Sequence, residues 1–280
     1  VRDPQKGMSD LRAGVLRAVG EASERLGEDG LRIMRAYRFL DSTDGMRSME
    51  SSLRSAVREN LSMLDGVSRE RIGMEMVRIL GGRNAGKVIL QMHEDGVLEH
   101  ILPGIACTVS PSFCTDYLVN LALLCSGDPS EGNALAGNLR SALMMAKDPL
   151  RRIAFLHGAR GTPVPTEISE LRRFRAALPP EWKKAFIAYS HGLGQGTAEF
   201  SVALDSLSPL IAGNAPLIDG NTLAAATGLD PGPRMGRLKG LLHRIQIEQD
   251  LSTAERVLSM LDELDWRDSD YEEWPALSWP

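Results

Sequence analysis

The 280 residues are 43% hydrophobic, 25% charged and 5% aromatic, a soluble globular composition that excludes a mainly disordered chain and has room for several cores. The longest uncharged stretch, residues 101–115, holds Pro103, Gly104 and Pro111 and is too short and broken to cross a bilayer, so no membrane partner is expected. The net charge of −5 is uneven: residues 261–280 carry one Arg against seven Asp and Glu, a sum of −6, which leaves the other 260 residues at +1.

Only six of the 32 basic residues are Lys, and the planar fork of Arg suits phosphates and base edges, a mild pointer to nucleic acid. Cys107, Cys114 and Cys125 are odd in number and form no C-x-x-C pair. They indicate neither a disulfide framework nor a zinc site, and a reducing, cytoplasmic setting is expected. Neither end carries a secretory pattern, and a first residue Val1 leads us to expect a chain that begins inside a longer protein.

In chain order, a turn-rich stretch around residues 3–7 precedes a β-like run over 15–19 closed by Gly20, read as the end of an α/β unit. From residue 28 the spacing is helical, with Leu31, Met34 and Tyr37 on one face and Glu28 and Asp29 at the positive helix start. Helices are then predicted over 49–64, 68–80 with Gly81-Gly82 as its stop, and 85–94. Further helices fit 116–125, 133–146, 149–157, 167–177, 181–190, 197–207, 222–227, 234–249 and 253–264. The linkers read as short. No fixed-period repeat emerges.

Several motifs are set aside. Residues 81–88 nearly match a phosphate loop, but Val88 replaces the hydroxyl that should hold magnesium and the preceding residues are helical, so a helix-to-helix turn is expected. Gly192, Gly194 and Gly196 follow a helix instead of a strand. Asp268 and Asp270 sit in an acidic tail read as solvated linker. The five histidines are scattered and lack hydrolytic metal spacing, so no metal site is expected in this chain.

The informative segment is 28–40, in which Asp29, Arg32, Arg35 and Arg38 recur every three residues. Each such step turns about 60° backward on a helix, giving a slowly winding stripe able to line a groove. A carboxylate beside a guanidinium is what a nucleobase edge requires: the acid takes the exocyclic amine of cytosine or adenine, and Arg donates to ring nitrogen or carbonyl. An internal ion-pair stripe would leave the same pattern, and on physics alone it is the commoner reading, because charged residues on helices are more often paired or solvated than ligand-binding.

Glu28-Asp29-x-x-Arg32-x-x-Arg35-x-x-Arg38-Phe39 resembles the E-D-x-x-R motif of class II tRNA nucleotidyltransferases, the CCA-adding enzymes, and of the similar bacterial poly(A) polymerases. Upstream, Asp3-Pro4-Gln5-Lys6-Gly7-Met8-Ser9-Asp10-Leu11 and Leu16-Arg17-Ala18-Val19-Gly20 are similar to that family's D-x-x-x-G-x-x-D-L turn and following strand. Val67-Ser68-Arg69-Glu70-Arg71-Ile72-x-x-Glu75 and Val97-Leu98-x-x-Ile101-Leu102-Pro103 resemble its neck and body, and Gly228 to Gly236 with Gln246-x-Glu248 its bacterial tail.

The resemblance implies a mainly all-α fold: a short α/β remnant of the catalytic head over 1–26, a neck over 27–66, a helical body over 67–160, a tRNA-binding tail over 161–264 and an acidic extension over 265–280. It implies addition of CMP and AMP from CTP and ATP to the tRNA 3′ end. Asp29 and Arg32 would pair with the base, Arg35 and Arg38 would support the nucleotide and its phosphates, and Glu28 would orient the arginines. Gly30 stands where many members have Pro, a slot read as variable. Arg234, Arg237, Lys239 and Arg244 are candidate RNA-phosphate contacts.

The G-G-x-x-R-D loop and the paired carboxylates that bind Mg2+ in this family are absent from the sequence, as is its R-R-D-F segment. No catalytic residue is therefore assigned, and the chain alone is expected to be inactive. Alternatives are a natural nucleotide-selecting subunit completed by a separate catalytic head, a poly(A) polymerase, and a helical scaffold. Full CCA, CC-only, A-only and poly(A) addition are not separable from these residues.

Overall fold

The computed structural model describes residues 3–5, 7–109 and 113–280, so Lys6 of the upstream motif and Pro111 of the uncharged stretch lie outside the described residues. The chain divides into two compact units, Val1–Gly161 and Thr162–Pro280. The protein is mainly all-α, and no helix is long and apolar enough to cross a membrane.

The first unit opens with α1 (Gly7–Ala13), β1 (Val15–Leu16), α2 (Ala22–Glu28), α3 (Leu31–Leu40) and β2 (Ser48–Met49). The expected turn is present at residues 4–5 and leads into α1, where the Asp3 carboxylate accepts from the amides of Gly7 and Met8 at 2.8 and 3.0 Å, the role of an N-terminal cap. The β-like run shrinks to two residues, which pair in parallel with β2, Val15 opposite Ser48 and Leu16 opposite Met49.

There follow α4 (Ser51–Glu59), a 3-10 turn (Leu61–Gly66), α5 (Arg69–Leu80), α6 (Ala85–Glu94), α7 (Val97–Ile101), α8 (Tyr117–Leu124), α9 (Gly132–Leu143) and α10 (Lys147–Gly158). The helix expected over 49–64 is thus divided at Asn60, whose backbone leaves helical geometry. Residues 118–124 of α8 are buried all round, the mark of a central helix, and α8 packs on α5 and α10. Gly73 of α5 lets α9 approach: a Cβ there would stand 2.1 Å from the Leu143 carbonyl oxygen. The stretch that separates α7 from α8 and that over residues 207–219 are longer than the short linkers expected. Asn120 anchors the first, donating to the carbonyls of Leu80 and Cys114 at 2.7 Å.

Residues 81–84 form the expected helix-to-helix turn. The Asp41 carboxylate accepts from the amides of Arg83 and Asn84 at 3.1 and 2.9 Å, placing a carboxylate of this chain at the start of α6.

The second unit contains α11 (Ile168–Ala177), α12 (Pro180–Gly192), α13 (Ala198–Ser206), α14 (Gly220–Thr227), α15 (Pro233–Gln249) and α16 (Ala254–Ser259). Gly192 ends α12, and Gly194 and Gly196 lie between α12 and α13, following a helix and not a strand.

The acidic tail is not solvated linker. Trp266 and Trp274 are buried in the core built on α14, α15 and α16. Trp279 packs edge-on against Phe174 and Phe186 at centroid separations of 5.3 and 6.1 Å. Burying aromatic area outweighs the tail's charge, because the carboxylates can stay in water while the rings go in.

Candidate functional site

Helix α3 carries the stripe and is fixed on its apolar side. Ile33, Met34, Tyr37 and Leu40 are fully buried, and burying an apolar side chain such as Ile, Met or Leu is worth about 1.5–3 kcal/mol. The Tyr37 hydroxyl donates to Oδ2 of Asp95 at 2.8 Å, and Asp95 also takes Arg54 Nε at 2.8 Å and Arg58 Nη2 at 2.6 Å. Burial, reinforced by the bond to Asp95, pushes the Tyr37 phenol far up.

The entry to α3 differs from expectation. Glu28 is the last residue of α2, not the first of α3, because Asp29 is extended (φ −154°, ψ 105°). One Asp29 oxygen accepts from the Leu31 amide at 3.0 Å, and the other lies 3.6 Å from Arg71 Nη2 of α5. Nor is Gly30 a variable slot here. A Cβ on it would lie 2.1 Å from the Met63 carbonyl oxygen, a backbone atom that cannot swing aside.

The stripe divides as its rotation requires. Arg32 and Arg35 line a cavity of about 340 Å³ together with Arg17, Arg25, Ala18, Val19 and Phe39, between β1, α2, α3 and α4. Arg38 turns toward α5, its Nη1 3.1 Å from Glu75 Oε2, and Arg35 Nε reaches the same carboxylate at 3.8 Å. Arg78 completes the group around Glu75 at 2.9 Å, and the Glu75 side chain is only 3% exposed. Asp29 is not among the residues lining the cavity.

Arg32 is held by what precedes it. Its Nη1 donates to Glu28 Oε2 and, at 2.6 Å, to the Arg25 carbonyl at the end of α2. Arg25 Nη1 in turn donates to both Glu28 oxygens at 3.0 Å. The Glu28 carboxyl is drawn below its ordinary value, chiefly by the bond from Arg32, with desolvation opposing and Arg25 adding to the lowering. Internal ion pairing and an open arginine groove therefore coexist. Four guanidinium groups line a groove of small-molecule size beside a carboxylate, a setting suited to a polyanion bearing a base.

Sequence reading missed Arg17, Arg25, Arg71, Glu75 and Arg78. Arg25 stands one helical turn before Glu28, and the ladder Arg71, Glu75, Arg78 has helical spacing, but only the packing of α5 on α3 gives these spacings a target.

The tail cations are used unequally. Arg234 Nη2 donates to the carbonyls of Trp266 and Arg267 at 2.9 and 2.6 Å, so it ties down the C-terminal segment. Arg244 pairs with Glu248 at 2.8 Å. Arg237 is exposed and Lys239 half-buried, and neither makes an ion pair within 4 Å among the described residues.

Among the described residues no three His, Cys, Asp or Glu side chains gather to hold a metal.

Residues 48–108 match the family model described as the probable RNA and SrmB-binding site of polymerase A. The CCA-adding enzyme of Geobacillus stearothermophilus is 38% identical over 104 residues, 37% of this chain and 25% of that protein. That of Ligilactobacillus salivarius is 41% identical over 78 residues, 28% of this chain and 19% of that protein. The chain thus spans about a quarter or less of these two relatives by sequence.

In structure, the Bacillus stearothermophilus CCA-adding enzyme in complex with CTP superposes with a TM-score of 0.76 at 23% identity, covering 94% of this chain and 68% of that one. The Thermotoga maritima CCA-adding enzyme complexed with tRNA gives 0.59 at 18% identity, covering 93% and 67%. At these identities the likeness is one of fold.

Proposed function

We propose that this chain belongs to the family of the CCA-adding enzymes and bacterial poly(A) polymerases, which it resembles in sequence and fold, and that it supplies nucleotide selection and RNA holding for template-independent addition of CMP and AMP to the 3′ end of tRNA. The observation that carries this reading is the 340 Å³ groove lined by Arg17, Arg25, Arg32 and Arg35. CTP and ATP are the nucleotides, because both offer an exocyclic amine to a carboxylate and ring acceptors to a guanidinium.

In this reading Arg32 donates to the base edge and Asp29 accepts the amine, releasing Arg71 to do so. Arg35 contacts the phosphates, and Arg38 acts through Glu75, holding α3 against α5. Residues 1–26 are the end of a catalytic head, 27–66 the neck, 67–160 the body, 161–264 the RNA-binding tail and 265–280 its C-terminal extension. Arg237 and Lys239 are the tail cations best placed for RNA phosphates; Arg234 and Arg244 support the helix. The free cysteines suit a reducing, cytoplasmic compartment.

Magnesium supplies charge stabilisation to phosphoryl transfer in enzymes of this kind. The described residues bring together no carboxylate set for it, and no step of the transfer rests on them. The metal carboxylates belong to additional polypeptide, either continuous with this chain or a separate head subunit. The match to a polymerase A model supports a second reading, poly(A) addition, in which the same groove takes ATP alone.

The test is to titrate the chain with tRNA lacking its CCA end and to assay labelled CTP and ATP incorporation. Binding that weakens with salt, without incorporation by the chain alone, is the expected result. Absence of both RNA and nucleotide binding would reduce the protein to a helical scaffold. Incorporation by the chain alone would overturn the assignment of the metal site elsewhere.

A further inference from the structure

We infer that Arg25 is a positioning residue that sets nucleotide selectivity by fixing the rotamer of Arg32. The inference rests on the groove being a nucleotide site and assigns within it a role to a residue outside the 28–38 stripe.

Arg25 holds Arg32 by both of its ends. Its backbone carbonyl, in the last turn of α2, accepts from Arg32 Nη1 at 2.6 Å. That carbonyl is one of those a helix end leaves without a backbone donor, and a cation is favoured there by the helix dipole. Its side chain clamps both oxygens of Glu28 at 3.0 Å, and Glu28 Oε2 accepts from the same Arg32 Nη1. The three residues form a closed triangle on one turn of helix and the following turn of chain.

The consequence is directional. With Nη1 spent on this triangle, Arg32 presents Nε and Nη2, which no described residue bonds. Two adjacent donors on one edge of a guanidinium are what a bidentate contact to a base needs. Without the Arg25 clamp, Glu28 is free to rotate into solvent, being 48% exposed, and Arg32 then samples rotamers that no longer favour one base edge over another.

A competing role for Arg25 is direct contact with the phosphates, since it also lines the cavity. The two roles differ in what they change. A phosphate contact is common to all four nucleotides, whereas a positioning contact acts on the base.

The experiment measures dissociation constants of CTP, ATP, UTP and GTP for the 280-residue chain, as wild type, Arg25→Ala, Arg25→Lys, Glu28→Gln and Arg25→Ala/Glu28→Gln. Arg25→Ala is expected to lower the CTP-over-UTP preference roughly tenfold, the scale of one bidentate base contact, with Tm unchanged because the side chain is half exposed. Arg25→Lys should restore part of it, and the double variant should be no worse than either single one. Equal weakening of all four nucleotides with an unchanged preference overturns the inference in favour of a phosphate contact, and additive losses in the double variant overturn the triangle. A wild-type chain that binds nucleotides without preference instead removes the nucleotide-reading groove itself, and the inference with it.

Discussion

Nη1 of Arg38 lies 3.1 Å from Oε2 of Glu75, a carboxylate that is only 3% exposed and is shared by Arg35 and Arg78. The last arginine of the stripe is thus spent on joining α3 to α5, and the groove is left to Arg32 and Arg35. A buried carboxylate that loses its charge leaves three cations competing for a neutral amide. Glu75→Gln is expected to destabilise the first unit by about 1–3 kcal/mol, read as a lower urea midpoint at unchanged m-value. An unchanged midpoint would mean that the pairing is incidental.

Gly30 sets the approach of α3 to the 3-10 turn. Gly30→Ala should cost about 1–3 kcal/mol through forced backbone displacement, because its Cβ would meet the Met63 carbonyl oxygen at 2.1 Å. Gly27→Ala, in α2 with nothing within 4 Å of the new Cβ, should be neutral or stabilising. Thermal melts of the two variants check the contrast, and equal melting temperatures would contradict it.

The C-terminal segment should behave as core. Trp274→Ala is expected to destabilise the second unit by about 3–5 kcal/mol, and removal of residues 265–280 should make α15 sensitive to limited proteolysis, since Arg234 also loses the carbonyls of Trp266 and Arg267. Proteolysis patterns unchanged by the truncation would restore the solvated-linker reading.

His157 is fully buried in α10, its Nε2 2.9 Å from the Ser130 carbonyl. Burial holds its pKa below the usual histidine value, the bond to Ser130 opposing this only in part. A depressed folded pKa means that the unfolded chain takes up the proton first, so stability is present above about pH 6.5 and is lost as pH falls through the folded pKa. Wild-type Tm should therefore drop more steeply from pH 7 to pH 5 than that of His157→Gln, whose amide can still donate to Ser130. Parallel profiles would contradict this.

Much of the helical framework is legible in the sequence where apolar spacing is long and the stops are glycines. The expected 85–94 helix coincides with α6, and 68–80 differs from α5 by one residue. Helix α2 buries only Ala22 and Leu26, too few for a period, so neither the helix nor its end at Glu28 is legible in the sequence. The packed tail is not legible in the sequence, because Trp266, Trp274 and Trp279 have no common spacing and sit among acids, so that only their tertiary partners reveal them. The stripe itself was legible, but its division between groove and α5 depends on Glu75 and Arg71, which are distant in sequence.

The most direct test of the account is competitive binding of CTP, ATP, UTP and GTP to wild-type chain and to the Arg32→Ala and Asp29→Ala variants. CTP and ATP are expected to bind the wild type more tightly than UTP and GTP by about 1–3 kcal/mol, Arg32→Ala to erase that margin, and Asp29→Ala to admit UTP and GTP, which carry a carbonyl where the amine would be. Equal binding of all four nucleotides to wild type and variants would show that the stripe serves ion pairing alone.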